Sequence, residues 1–214
     1  MFKRISFWLV VVSLCSGCAV GVKHEYEVDP KRVWIRSDAT VNVATLDHRP
    51  YVISGDKPES FVGLSRGGFG NPFDVVTKSR DPLADDISDT LVKALYQEGM
   101  SARKVPLRPS SSVEEAVEAL QQEDADRYLL LLLSEWKGDS MMNVAFIYDF
   151  EIQVLDEKGT ILVVEQYKDK ENLGATDAFN PGGGIKIKNR FRSLVPELFS
   201  SKEIRAALME KGVD

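Results

Sequence analysis

Tyr128-Leu-Leu-Leu-Leu-Leu-Ser-Glu-Trp136 is the stretch whose reading decides how this chain folds. Its apolar run is far shorter than the about 20 residues of a membrane-spanning helix, and shorter than an average globular helix of about 11. Leucine favours helix, but the flanks overrule composition. Asp124-Ala-Asp-Arg127 interrupts the helical pattern upstream, and Gly138-Asp-Ser140 follows as a turn. A short apolar run bounded by turn residues reads as a strand buried on both faces. Such a strand needs structure packed on each side of its sheet.

Upstream of it, Ser112-Val-Glu-Glu115 is a capping box that starts a helix reaching about Glu123, with Val113, Ala116, Val117 and Leu120 facing inward. Residues 102–105 before it read as a strand. Strand, helix and strand then form a crossover unit whose two strands run parallel. The strongest helix lies further upstream. Asp81 is its expected N-cap and Pro82 its first position, while Leu83, Ile87, Leu91 and Leu95 share one apolar stripe with Ala84 and Ala94. Asp85, Asp86 and Asp89 load the positive end of its dipole. Gly99 ends it in a left-handed cap onto which Met100 can fold back.

The N-terminal third reads as short strands at 31–36 and 40–46, with weaker strand candidates at 50–53 and 59–64. Gly63-Leu-Ser-Arg-Gly-Gly-Phe-Gly-Asn-Pro72 reads as a mobile loop. Downstream of the leucine run, Val144, Phe146, Tyr148, Phe150, Ile152 and Val154 alternate with more polar positions along a long strand with one buried face. Asp156-Glu-Lys-Gly159 turns the chain, and 160–168 returns antiparallel. A helix over 185–195, ended or kinked at Pro196, and a last helix capped by Ser200-Ser-Lys-Glu203 complete the pattern. The expected fold class is α+β: one domain over 30–214, a mixed β-sheet with helices packed mainly on one face.

With 214 residues, 43% hydrophobic and 28% charged, the chain suffices for one well-buried domain. Its two cysteines, Cys15 and Cys18, leave the body without a thiol for a disulfide, a zinc site or a nucleophile. Residues 1–14 combine a basic start (Lys3, Arg4) with a short, mostly apolar stretch, as in a secretory signal peptide. Removing 1–17 takes Lys3 and Arg4 with it and moves the formal charge from −6 to −8. An acidic chain lacks the cationic footprint of nucleic-acid binding, so no nucleic-acid partner is expected.

Cys15-Ser-Gly-Cys18-Ala19 resembles the bacterial lipobox, with Leu14 four positions before Cys18. That resemblance implies cleavage before Cys18, its acylation with palmitate-class chains, and a tether over 18–29. Ala19 after the cysteine implies sorting to the outer membrane, on its periplasmic face. The alternative is an ordinary secretory signal with an incidental cysteine.

The chain also resembles the YajG-type bacterial lipoprotein family. The residues that carry the likeness are the lipobox with Cys18, Val41-Asn-Val43 followed by Asp47-His-Arg49, and the helix ending in Gly99-Met-Ser-Ala-Arg103. Leu133-Ser-Glu-Trp136 before the hairpin and the closing helix pair with Glu203-Ile204 add to it. The resemblance implies an outer-membrane lipoprotein with a small mixed-sheet domain and no established activity.

No stretch carries a complete catalytic motif. Gly63-Leu-Ser65-Arg-Gly67 fits the nucleophile-elbow spacing, yet no helix follows it and both histidines, His24 and His48, lie upstream of the serine. Gly182-Gly-Gly184-Ile-Lys186 lacks the spacing of a phosphate-binding loop. No metal and no cofactor is expected. His48 reads as a loop residue with a hydrogen bond, and Lys186, Lys188, Arg190 and Arg192 as a solvated face. The residues singled out are Cys18 for lipidation and, in the glycine-rich stretch, Phe61, Arg66, Phe69 and Phe73 as a partner-binding loop. The expected role is a non-enzymatic interaction module with an envelope protein partner. The alternative is a lipid or small-ligand binding auxiliary of envelope transport, with a pocket between sheet and helices.

Overall fold

The leucine run lies in the middle of a fourteen-residue strand, β6 (Arg127–Ser140), around which the sheet is assembled. In the computed structural model, residues 21–176 and 181–209 are described; Cys18 and the signal segment lie outside them, and residues 23–28 of the expected tether pack onto the domain instead, with His24, Tyr26 and Val28 buried. The other strands are β1 (Lys23–His24), β2 (Thr40–Asp47), β3 (Phe61–Arg66), β4 (Pro72–Thr77), β5 (Ser101–Lys104), β7 (Asn143–Asp156) and β8 (Ile161–Ala175). The helices are α1 (Pro50–Ile53), α2 (Leu83–Gln97), α3 (Val113–Leu120), α4 (Gly184–Leu198) and α5 (Lys202–Met209).

Along one edge β6 pairs antiparallel with β7 over nearly its whole length, from Arg127↔Asp156 to Ser140↔Val144. Its other edge is shared. The first half takes β2 in parallel, from Val41↔Arg127 to Asp47↔Leu133. The last residues take β3 in parallel, from Gly63↔Gly138 to Ser65↔Ser140. Outside β2 lies β5, parallel; outside β3 lie β4, antiparallel, and β1, parallel to β4. β8 runs antiparallel along the far side of β7. β5 and β6 are thus parallel, as the crossover requires, with β2 between them.

Alternation on β6 splits the leucines between two cores. Leu129, Leu131 and Leu133 point into the larger one, with the inner faces of α2, α4 and α5. Tyr128 and Leu130 point into the smaller one beneath α3, with Ala44, Leu46, Ala116, Leu120 and Leu155. The helices lie mainly on one face, and the α+β reading of the sequence holds. Trp136 centres the larger core, with ring centroids 5.0 Å from Phe146, 5.5 Å from Phe191 and 5.7 Å from Tyr26, all close to edge-on.

Two of the local signals that specify hydrogen bonds are found. Ser112 and Glu115 form the reciprocal capping box of α3. After α2, the Met100 amide donates to the Leu95 carbonyl and Gly99 N–H to Tyr96, the paired bonds of a Schellman motif, and Met100 is buried.

The structure corrects several readings. Residues 31–36 form no strand: Trp34 has φ 57°, and the Val33 amide donates to the Glu98 carboxylate at 3.2 Å in place of a ladder bond. Val33 and Ile35 are nevertheless buried, which is the alternation the sequence displayed. Residues 50–53 are the short helix α1, because Pro50 is preset for a first helical turn. Residues 63–72 are no loop but most of the β3–β4 hairpin. Gly138-Asp-Ser140 continues β6 where a turn was expected. Pro82, not Asp81, occupies the N-cap of α2. Finally, α4 runs through Pro196 to Leu198, and Ser201 accepts the Ile204 amide at the start of α5, a role expected of Ser200.

Candidate interaction surface

The β3–β4 hairpin sets the geometry of the stretch singled out in the sequence. Arg66 faces Pro72 in the ladder, and the tip 67–71 is closed by Gly67 N–H donating to Asn71 O at 2.9 Å and Gly70 N–H to Gly67 O at 2.8 Å. Gly63 near its base carries φ 149°, and a Cβ there would collide with the Gly138 backbone. That close approach, with a bulge between Phe61 and Gly63, seats β3 against the end of β6.

The four loop candidates do not form one patch. Phe61 lies at the opposite end of the hairpin, buried and edge-on to Tyr51 at 5.3 Å, so it is a core residue. Arg66 forks onto Asp139, Nε to Oδ1 and Nη2 to Oδ2, both at 2.7 Å. Hydrogen bonding to that carboxylate raises the Arg66 guanidinium above its ordinary range. Phe73 is half-buried at the foot of the tip. Phe69 stands 90% exposed.

Around Phe69 the sheet register gathers four further segments. Ser65↔Ser140 in parallel places the β6–β7 turn, with Met141 and Met142, beside the tip. Those methionines are 50% and 76% exposed. Asn143↔Ala175 brings in the end of β8, where Thr176 N–H donates to Met142 O at 2.9 Å. His24 Nε2 lies 2.9 Å from Gly182 O, and Gly182 and Gly183 pack so tightly on Val22 and Val144 that a Cβ on either would clash. The described residues 21–22, 67–72, 140–144, 172–176 and 181–185 therefore share one end of the molecule, and none of them is charged. In a chain with 28% charged residues this is a marked local departure. The charged residues that border it among the described ones are Lys23, Lys186, the Arg66–Asp139 pair and Glu171, which is held by Arg190; Asp177, next to Thr176 in the sequence, lies outside the described residues.

Charge is instead found inside. Arg49 and Asp47 are both buried and joined by two bonds, Nε–Oδ1 at 2.8 Å and Nη2–Oδ2 at 2.7 Å. Arg49 also donates to the carbonyls of Phe61 (2.5 Å), Glu59 (3.0 Å) and Trp136 (3.3 Å). The side chain thus ties the end of β2 to the start of β3 and the middle of β6. Burial disfavours the charge, but the Asp47 carboxylate outweighs it and holds the guanidinium above its ordinary value. No local pattern singles out Arg49 beyond its place in the Asp-His-Arg word. His48 between the two makes the expected loop bond, Nε2 to Ser111 O at 2.9 Å.

Other sequence candidates have internal occupations. Ser65 is buried within β3, and neither histidine ring is bonded to it. The basic quartet of α4 faces its own protein: Lys186 donates to Leu173 O, Lys188 pairs with Glu25, Arg190 with Glu171 and Glu197, and Arg192 donates to Asp29 O. Asp86 is buried and accepts from Ser79 Oγ at 3.0 Å. Burial, with Asp81, Glu27 and Asp89 adding, pushes its carboxyl up to about 6. The space between sheet and helices, expected as a pocket in the ligand-binding alternative, is filled by the rings around Trp136. Among the described residues no group of three or more His, Cys, Asp or Glu could hold a metal, and no helix is long and apolar enough to cross a membrane.

No family model matches the chain, and neither does any curated protein. Among solved structures it is similar to protein XCC0632 from Xanthomonas campestris, of the family described as DUF330. The TM-score is 0.55 at 13% identity, over 87% of this chain and 97% of that one. At this identity the likeness shows a shared fold. Weaker matches include the PelC dodecamer from Paraburkholderia phytofirmans (TM-score 0.45, 10% identity, 86% of this chain and 96% of that one). Lipoprotein GNA1162 from Neisseria meningitidis is another (TM-score 0.32, 13% identity, 76% and 99%). These two are too distant to bear on the argument.

Proposed function

We propose that this chain is a lipid-anchored, non-enzymatic interaction module of the bacterial envelope, of the YajG type, and that the uncharged end is its working contact surface. In this reading Cys18 carries the acyl anchor and holds the domain at the periplasmic face of the outer membrane, where it meets another envelope component. The observation that carries the reading is the convergence of five uncharged segments around exposed Phe69, Met141 and Met142. Exposed apolar side chains grouped in this way mark contact sites more often than isolated ones do. The lipobox around Cys18 supports the address.

The test is photo-cross-linking in cells. A photoreactive amino acid at Phe69 is expected to give one reproducible adduct with an envelope component. Deleting 67–71 should abolish the same adduct formed from a photoreactive residue at Met142, while leaving the circular dichroism spectrum of the domain intact. Adducts formed equally from Tyr96, an exposed residue on α2 outside this end, would sink the assignment of the surface.

A further inference from the structure

The direction in which the chain reaches this end identifies what covers it. β1 runs parallel to β4 with Lys23 beside Val76 and His24 beside Thr77. β4 itself leads away from the 67–71 tip, so the chain upstream of Lys23 comes from the tip side. Gly21, the first described residue, is separated from Cys18 by three peptide units, a reach of at most about 11 Å. An acyl chain on Cys18 therefore leaves the domain no room to stand clear of the bilayer. The part of the domain at that level is the end that carries Phe69, Met141 and Met142, whose five described segments hold no charged residue.

We propose that this end seats in the lipid surface, with Phe69, Met141 and Met142 entering the boundary between headgroups and acyl chains, so that the domain is held in one orientation. The inference rests on the reading of Cys18 as the acylated residue. The chemistry fits on three counts. Aromatic and flexible apolar side chains on hairpin turns can enter the interface with little strand backbone exposed, because the amides of Gly67, Gly70 and Met141 are bonded within the tips. Exposed Lys23 borders the uncharged end, where a long cationic side chain can reach the phosphate level. Asp139, the acidic group beside the tip, is neutralised by the Arg66 fork. One anchor point alone would let a domain swing; a second, apolar point of contact fixes its tilt.

The test uses the full mature chain, whose engineered cysteine is the only free thiol once Cys18 is acylated and Cys15 has left with the signal segment. Phe69→Cys, Met142→Cys and, as control, Lys158→Cys on the β7–β8 turn each carry an environment-sensitive fluorophore. The control lies the length of β7 away, about 45 Å at the usual rise. Proteins are reconstituted into vesicles of phosphatidylethanolamine and phosphatidylglycerol. Labels at 69 and 142 are expected to shift to the blue, to be quenched by brominated acyl chains, and to lose most of their quenching by aqueous iodide, as groups buried at the lipid boundary do. The label at 158 should behave as in water. Mass analysis of the N-terminal peptide reports Cys18 separately. An acylated chain whose labels at 69 and 142 remain as open to iodide as 158 overturns the seating and leaves the anchor standing. An unacylated chain with all labels in water overturns both; an unacylated chain with 69 and 142 in lipid supports seating and removes the anchor. A protein adduct at Phe69 in cells, with no lipid adduct, assigns the end to a protein and also overturns the seating.

Discussion

At the middle of the sheet this protein buries two full charges, and at one end it exposes some of its larger apolar side chains. Arg49 and Asp47 are withdrawn from water, whereas Phe69 and Met142 are 90% and 76% exposed. Both arrangements reverse the usual partition, and they do so for different reasons. The buried pair is satisfied on every side by a carboxylate and three backbone carbonyls, so its charge is internal structure. The exposed side chains lie on turns that hold their own hydrogen bonds, so their position contributes nothing to the fold. An inversion that stabilises the domain belongs to folding, and one that does not belongs to function.

That contrast can be broken most easily at the buried pair. Asp47→Ala leaves Arg49 charged and unpaired inside, and is expected to cost about 3–5 kcal/mol in urea unfolding. Replacing both, as Asp47→Ala with Arg49→Met, should recover a large part of that loss, since an uncompensated charge is the main penalty. A double variant as unstable as the single one would mean that the carbonyl contacts, not the ion pair, dominate.

Gly63→Ala tests the seating of β3 on β6. With its positive φ and the Gly138 backbone in contact, an added methyl should cost on the order of 2–3 kcal/mol. Because this contact sets the neighbouring tips side by side, the variant should also weaken cross-linking from Phe69.

Two buried titrating groups act with opposite signs. Asp86, raised to about 6, favours the protonated form in the fold, so the native state gains stability as pH falls from about 6 towards 4. His24 is lowered to about 4 by burial, against the Gly182 carbonyl bond that opposes the shift. It favours the neutral form, so its contribution is present above about 6.5 and is lost as pH falls towards 4. The two should largely cancel in the parent chain. Asp86→Asn should stabilise by on the order of 2 kcal/mol at pH 7 and by nothing below pH 4, exposing the decline due to His24. Equal unfolding midpoints of parent and variant at pH 7 would contradict this.

The smallest expected effect on stability is at the exposed end. Phe69→Ser with Met142→Ser should change unfolding by no more than about 0.5 kcal/mol. The same double variant should lose the contact read by cross-linking. A large destabilisation would return these side chains to the fold and erase the comparison.

Much of the fold was legible in short-range chemistry. The capping box at Ser112, the glycine stop at Gly99, the alternation from Val144 to Val154 and the two-sided burial of the leucine run each depend on residues close in sequence, and each is found. The errors have a common cause. Residues 31–36, 50–53 and 63–72 were read without the partner that decides them: the Glu98 carboxylate for the first, a preset proline turn for the second, and β4 and Gly138 for the third. The candidate surface was half legible. Phe69 was singled out for its glycine-rich surroundings, but Phe61 is core, and Met141 and Met142 were passed over because a strand turn with two methionines has no distinguishing local pattern.

By itself the sequence determined the fold class, the central strand and the helix ends at Ser112 and Gly99, since propensity and hydrogen-bond chemistry act over a few residues. Tertiary structure alone decided that five uncharged segments, spread from Gly21 to Ile185, meet at one end, and that Arg49 closes onto Asp47 beneath three strands. Strand register and the bond from His24 to Gly182 bring together residues far apart in the chain, 158 positions in the last case, and no local pattern encodes which turns will become neighbours.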